Sequence, residues 1–383
     1  MIPLQIAHIS DPHVSTYGDS FHKRKELIKR SKFPVEIAGD NQVVFEQEGW
    51  VLWKKEPKNT KGEISYRLVD EAGYEHMIPR SATFVDDARR YVTQLMKRSA
   101  KQLSQRLPDS DELISLLKQT PSNTNLRFIF AARQVLAQHP DIILITGDLT
   151  DNGDGYELIE AVFCTQIAQG RLLVVPGNHD LYSFPLSNSF RPMPTKASKR
   201  QRYGEFAKKL GISIGKEGGW MRHYPQHSTI IVGLDSCITG QPKLVLHGGQ
   251  IGPLQLSFLE QVAQTQDWQS STHRLVAFHH HLFPVSTGFI PKRLFEIGMR
   301  LNDAGIVAKT LKDIGANFVL HGHRHISEHR QPARCNFQLL SAPSITLGCL
   351  SGDAPSFWNI KLTESSSFIR RIYISPLALN VNR

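Results

Sequence analysis

Residues 171–180 read RLLVVPGNHD, an apolar run of strand length followed by Pro176, Gly177 and the polar trio Asn178, His179 and Asp180. Apolar residues that follow one another without alternation indicate a strand covered on both faces, which belongs in an α/β layer architecture. Moving outward, the same arrangement recurs. The run 4–9 leads into Asp11, Pro12 and His13, 142–146 into Gly147 and Asp148, 274–278 into His279, His280 and His281, and 317–320 into Gly322, His323, Arg324 and His325. A sixth run, 229–234, lacks such a block. Five strands therefore deliver Asp, Asn and His to their C-terminal ends, the edge of an open α/β sheet at which loops converge on a ligand.

A donor set of carboxylate, carboxamide and imidazole without thiolates suits a hard to borderline divalent ion, Mn, Fe, Zn, Ni or Mg. Seven such ligands exceed what one tetrahedral ion takes and suit two ions that share a carboxylate. Two metals about 3.5 to 4 Å apart clamp the attacking and leaving oxygens of an in-line displacement at phosphorus. Taken singly, each block is more often a satisfied polar group than a ligand; five at strand ends, in order, are a different matter.

The blocks Asp-x-His, Gly-Asp, Gly-Asn-His-Asp, His and Gly-His-x-His, in this order, resemble the calcineurin-like metallophosphoesterases. The finer wording HISDPH, ITGDLTDNG, VVPGNHD, LDS, FHHH, HGHRH and SAPS is similar to the branch that contains bacterial class III cyclic-nucleotide phosphodiesterases. The resemblance implies a four-layer αββα sandwich of two mixed β-sheets. It implies two divalent ions, with Mn or Fe expected: Asp11, His13 and His325 on one, Asn178, His279 and His323 on the other, and Asp148 between them. A hydroxide bridging the ions would attack phosphorus, His179 would act as general acid, and Asp151 would orient it. Of the adjacent histidines, His279 directly follows the strand and takes the ligand role, while His280 and His281 either face the substrate or pack.

The rest of the chain sets the frame. Among 383 residues, 40% hydrophobic and 21% charged, no apolar run reaches the roughly 18 residues of a membrane helix. The start, MIPLQIAHISDPH, has no basic leader, so a cytoplasmic protein is expected. Cys164, Cys237, Cys335 and Cys349 are widely spaced, which favours reduced, mostly buried thiols. Residues 357–362 and 368–374 alternate and suggest an antiparallel hairpin, and 126–139 and 253–264 have helical spacing. Residues 18–125 break the strand–helix rhythm. Short β-like pieces at 43–45, 50–53, 64–69 and 74–78 precede helical patterns at 82–107 and 109–118, so this stretch is expected to be an α+β subdomain inserted after the first strand. The phosphoesterase core would then be 1–17 and 126–383.

The formal charge of +10 is unevenly placed, with +7 in residues 191–222 and +3 in 18–125. The first group (Arg191, Lys196, Lys199, Arg200, Arg202, Lys208, Lys209, Lys216 and Arg222) follows the GNHD block, so it either draws an anionic phosphoester such as a nucleotide toward the metals or forms a solvated face. Arg200 and Arg202 are the substrate-contact candidates, together with His280. The cluster Lys23, Arg24, Lys25, Lys29, Arg30 and Lys32 can serve a polyanion or plain solubility. Trp50, Trp53, Tyr66 and Tyr74 are core residues first and a base-stacking platform second. Phosphodiester hydrolysis, with a cyclic nucleotide as first substrate class, is the leading expectation. The alternatives are a DNA or RNA nuclease, a nucleotide-sugar or lipid pyrophosphatase, and a noncatalytic metal-containing binding module.

Overall fold

The computed structural model describes residues 2–18, 41–47, 50–55, 65–69, 75–76, 84–182, 196–215, 218–237, 248–284, 299–349 and 352–375. The six apolar runs form strands to within one residue at each end. In chain order the strands are β1 (Leu4–Ile9), β2 (Asn41–Gln47), β3 (Trp50–Lys55), β4 (Ser65–Val69), β5 (Glu75–His76), β6 (Ile142–Thr146), β7 (Leu172–Val175) and β8 (Trp220–Tyr224). They continue with β9 (Thr229–Gly233), β10 (His273–Ala277), β11 (Phe318–His321), β12 (Glu328–Arg330), β13 (Gln338–Ser341), β14 (Ser356–Leu362) and β15 (Ser367–Tyr373).

Two mixed sheets carry the core. The first has the order β15-β14-β1-β6-β7 and the second β12-β13-β11-β10-β9-β8. β1, β6 and β7 run parallel, as do β9, β10, β11 and β13. β14 and β15 form the antiparallel hairpin expected from the alternation of 357–362 and 368–374, and the structure pairs it antiparallel onto β1. Strand periodicity then sorts the second sheet's side chains. Ile231, Leu275, Ala277, Phe318, Leu320 and Leu340 join the cluster shared with the first sheet, whereas Ile230, Val232, Val276, Val319 and Leu339 pack with the helices Gly252–Ala263 and Ala304–Asp313. The outer side of the first sheet is covered by helices such as Thr124–Leu136, which contributes Leu126, Phe128, Ile129 and Val135 to the same core. The layers are therefore helix, sheet, sheet, helix.

β2 to β5 make a small antiparallel meander. Trp50 is fully buried there, with Leu52, Leu68 and the residues Ala88, Val92 and Leu95 of the helix Phe84–Met96. Trp50 is thus core; Trp53 is half-buried, and Tyr74 and the side chain of Tyr66 lie outside the described residues. The single helical stretch expected at 82–107 is two helices, because Ser99 caps a new one, Ala100–Gln105, by accepting the Gln102 amide. Ala100 and Leu103, with Leu113 and Leu117 of the helix Ser110–Gln119, are buried in the main core rather than in the meander's. All four thiols are free, but Cys237 alone is buried, Cys335 and Cys349 are half-buried and Cys164 is exposed, so the cysteines are not mostly buried as expected. Among the described residues, no helix is long and apolar enough to cross a membrane.

Candidate metal centre

β1, β6 and β7 of the first sheet and β10 and β11 of the second all point their C-terminal ends at one place. The turns that follow are tight. Asp11, His13, Asp148, His323 and His325 have φ between 45° and 72°, a left-handed backbone that residues with a Cβ rarely adopt. In this conformation the side chains fold inward instead of continuing the strand. Close approach also dictates Gly177, where an added methyl would collide with the Asp148 backbone and carboxylate.

Three triplets of donor atoms each fall within 4.8 Å: Asp11, His13 and His325; Asp148, His279 and His323; and His13, Asp148 and His179. His13 Nε2 and His325 Nε2 are 3.1 Å apart, with Asp11 Oδ1 3.3 Å from the latter. On the other side His279 Nε2 lies 3.0 Å from Asn178 Oδ1, 3.2 Å from His323 Nδ1 and 3.3 Å from Asp148 Oδ2. The same Asp148 oxygen is 3.9 Å from His13 Nε2, which puts one carboxylate between the two groups.

These residues fit a pair of divalent ions. Among the described residues Asp11 Oδ1 is buried without a hydrogen-bond partner, and imidazole nitrogens face each other at hydrogen-bond distance where a shared cation satisfies both. Outer contacts leave the inward nitrogens available. His279 donates its Nδ1–H to the Thr146 carbonyl at 2.8 Å, and His13 Nδ1 lies 3.4 Å from Asp151 Oδ1.

His179 stands beside this group. Its Nδ1–H donates to the Asp151 carbonyl at 3.0 Å, and the Asp151 carboxylate is 3.4 Å from the same nitrogen, leaving Nε2 facing away from both. Asp151 therefore orients two rings at once, those of His13 and His179. His280 and His281 separate cleanly. Ser236 Oγ accepts the His279 and His280 amides and lies 2.8 Å from His280 Nδ1, and the His280 ring sits 4.6 Å from that of His323. His281 instead packs on His321 at 4.3 Å. Arg200 pairs with Asp235 at 3.1 Å and with the Cys237 carbonyl, and Arg202 pairs with Asp154 and the Gly153 carbonyl. The structure does not bring either guanidinium into the donor cluster. Lys23, Arg24, Lys25, Lys29, Arg30, Lys32, Arg191 and Lys216 lie outside the described residues.

Several supporting residues escape a reading of strand ends alone. Asp180 accepts from the amides of Gly177, Leu149 and Thr150, from the Thr150 hydroxyl and from Tyr156, tying two ligand loops together. Ser344 and Thr346 donate to the carbonyls of Asp11 and Pro12 at 2.7 and 2.9 Å. Lys199 is fully buried, its ammonium on the carbonyls of His179 and Tyr182.

The charges are interlocked. Burial alone would lower His179 and His279, but the Asp148 carboxylate, with Asp151 beside His179 and Asp11 near His279, pushes both up to about 9. Asp148 is held well below the usual carboxylate range by His279 and His179 against the opposing effect of burial. Burial, reinforced by other cations, lowers His8 and His321 to about 3. If His279 ligates a divalent ion, that ion takes the place of a proton, so adding Mn to chelator-treated protein should release protons, and affinity should fall as pH drops below about 9. The folding stability of chelator-treated protein should peak near pH 6.5. Above it, the contribution of His179 and His279, complete below 6.5, is lost as pH rises through about 9. Below it, the unfolded chain takes up protons that His8 and His321 refuse until about pH 3. Melting temperatures recorded in EDTA from pH 4 to 10 test this, and a profile flat from 6.5 to 9 contradicts it.

Comparison with known proteins places the chain in a family. Residues 111–327 match the family model for calcineurin-like phosphoesterases. The chain is 24% identical over 246 residues to the 3',5'-cyclic adenosine monophosphate phosphodiesterase CpdA of Haemophilus influenzae, covering 63% of this chain and 73% of that protein. Among solved structures it is similar to a purple acid phosphatase from yellow lupin seeds (12% identity, 65% of this chain and 47% of that one, TM-score 0.47). It is also similar to a dimetal phosphatase from Danio rerio (14% identity, 66% and 88%, TM-score 0.42). The chain spans less than half the length of the lupin enzyme. With the family match extending over more than half of its residues, this chain belongs to the calcineurin-like phosphoesterases, hydrolases that act on phosphoester bonds.

Proposed function

We propose that the protein is a binuclear metal-dependent phosphodiesterase, with a cyclic nucleotide as its leading substrate class. One observation carries the mechanism: the Asp148 carboxylate lies between two ligand groups, and His179 stands at their margin with Nε2 free of Asp151. Asp11, His13 and His325 would hold one divalent ion, and Asn178, His279 and His323 the other, with Asp148 available to both. When bound, the ions activate water for in-line attack at phosphorus and neutralise charge on the oxygens around it.

The chain's own residues do the rest. Asp148 fixes the backbone of the acid, since the His179 amide donates to Asp148 Oδ1 at 2.8 Å. Asp151 holds the His179 ring through Nδ1, so Nε2 is the atom that gives a proton to the departing alkoxide. The Asp151 carbonyl and carboxylate beside Nδ1 favour the protonated form of that ring. The two-sheet core, together with the helices Ala100–Gln105 and Ser110–Gln119 that pack into it, carries this chemistry, and the meander β2 to β5 with the helix Phe84–Met96 forms an accessory unit. The cyclic nucleotide is supported by the named activity of the Haemophilus relative and by the DPH, GDLTDNG and GNHD wording.

The test is a substrate panel. Protein loaded with Mn is assayed on 3',5'-cyclic nucleotides, dinucleotides, nucleotide sugars and linear DNA. Preference for the cyclic class by about tenfold or more in kcat/KM supports the reading; cleavage of DNA with none of the cyclic substrates makes the protein a nuclease. His179→Ala adds a mechanistic check, with turnover of an alkyl-leaving diester expected to fall about 10²-fold or more and that of an aryl diester far less.

A further inference from the structure

The helix Lys196–Lys209 is the most basic element of the described chain, yet three of its cations are turned inward onto three separate loops, two of which carry proposed ligands. Arg200 reaches the loop after β9 at Asp235 and Cys237, and Arg202 the loop after β6 at Gly153 and Asp154. Lys199 reaches the loop after β7, with Nζ donating to the carbonyls of His179 at 2.9 Å and Tyr182 at 2.8 Å. Its stem lies across Gly153, where an added Cβ would come within 2.9 Å of Lys199 Cγ.

Lys199 has no exposed surface, and removing an ammonium from water is costly unless its donors are used. They are used at a particular place. The turn of helix Asn178–Leu181 is too short to order itself, and the carbonyls at a helix C-terminus are those its own amides do not reach. A lysine ammonium bound to them closes that end, as cations do at helix C-termini. The opposite end is held by Asp180, which accepts the Gly177 amide. Between these two anchors sit Asn178 and His179.

We propose that Lys199 is a positioning residue for proton donation by His179: by gripping the His179 and Tyr182 carbonyls, it fixes the backbone from which the acid reaches the leaving group. This rests on the reading of His179 as general acid. Lys199 touches neither substrate nor metal in this role, and so differs from a cation that draws substrate in.

The experiment compares two phosphodiesters that differ only in leaving group, one aryl and one alkyl, using the Mn-loaded full-length protein. Lys199→Met should lower kcat on the alkyl diester about tenfold and on the aryl diester less than about twofold, with KM and metal content unchanged. Lys199→Arg, which keeps two N–H donors, should stay within about threefold of the parent on both. Added to His179→Ala, Lys199→Met should cost nothing more. Equal losses on both diesters, or full additivity with His179→Ala, overturn the proposal and leave Lys199 a packing residue. If His179→Ala shifts the alkyl-to-aryl ratio and Lys199→Met does not, only the role of Lys199 fails. If His179→Ala itself leaves the ratio unchanged, the general-acid reading fails and takes this role with it. Should Lys199→Met not fold, Lys199→Gln set against Lys199→Arg reads the same ratio, and an unchanged ratio in Lys199→Gln counts against the proposal.

Discussion

Replacing Asp148→Asn is expected to lower phosphodiester turnover by about 10³-fold or more and to leave fewer than two ions bound per chain. Size and shape are nearly unchanged, so the effect is chemical. The His179 amide donates to Asp148 Oδ1, and the same contact in the variant selects the carboxamide oxygen for that side. The amide NH₂ then occupies the position of Oδ2, the oxygen 3.3 Å from His279 Nε2 and 3.9 Å from His13 Nε2. A donor group would point at the ions where an anion had joined them. Losing on the order of 4 kcal/mol of transition-state stabilisation is about 10³-fold in rate. Metal content by elemental analysis and kcat on an aryl diester measure the two effects. Two tightly held ions together with more than a tenth of the parent activity would show that Asp148 does not join the sites.

Gly177→Ala is expected to imitate a ligand mutant although Gly177 binds nothing through a side chain. Its φ of −108° is open to any residue, so the substitution introduces no backbone strain. What it introduces is a methyl group directed at the Asp148 backbone and carboxylate. Neither can retreat easily, because the Asp148 loop is fastened to Asp180 through the Leu149 and Thr150 amides. Asp148 must shift, and a displacement near 1 Å at a catalytic group costs about 10² in rate. Overpacking of this kind costs about 1–3 kcal/mol, so the protein should remain folded with a lower melting temperature. Activity within threefold of the parent at full metal content would mean that the loops have more room than their geometry indicates.

Much of this site could be read directly along the chain. Buried parallel strands are written as unbroken runs of Val, Ile and Leu, and the ligands follow them within a few residues, so position along the chain and position in space coincide. The strands that were not anticipated are those with mixed content. β8 (WMRHY) and β12 (EHR) are sheet edges, half open to solvent, and β13 (QLLS) is too short to stand out. Supporting groups were harder to see. Ser236, Ser344 and Thr346 act through hydroxyls on backbone atoms far away in sequence, a role common to many serines and threonines. Lys199 is one of nine basic residues between 191 and 222, and composition alone does not say which of them turns inward. Arg200 and Arg202 share that ambiguity: their pairing with Asp235 and Asp154 depends on how the helix is rolled against the loops. The break at Ser99 did have a local signal, since Ser99 is followed three residues later by Gln102.

The two sheets contribute unequally to the centre. Every carboxylate among the proposed ligands stands after a strand of the first sheet, while the second supplies only imidazoles, His279, His323 and His325. Held as proposed, each ion would straddle the seam between the layers and act as a removable rivet. The separation between the ions would then gauge how far one layer has slid over the other, so a substitution deep in the shared apolar core, touching no ligand, should be registered as altered magnetic coupling between two paramagnetic ions.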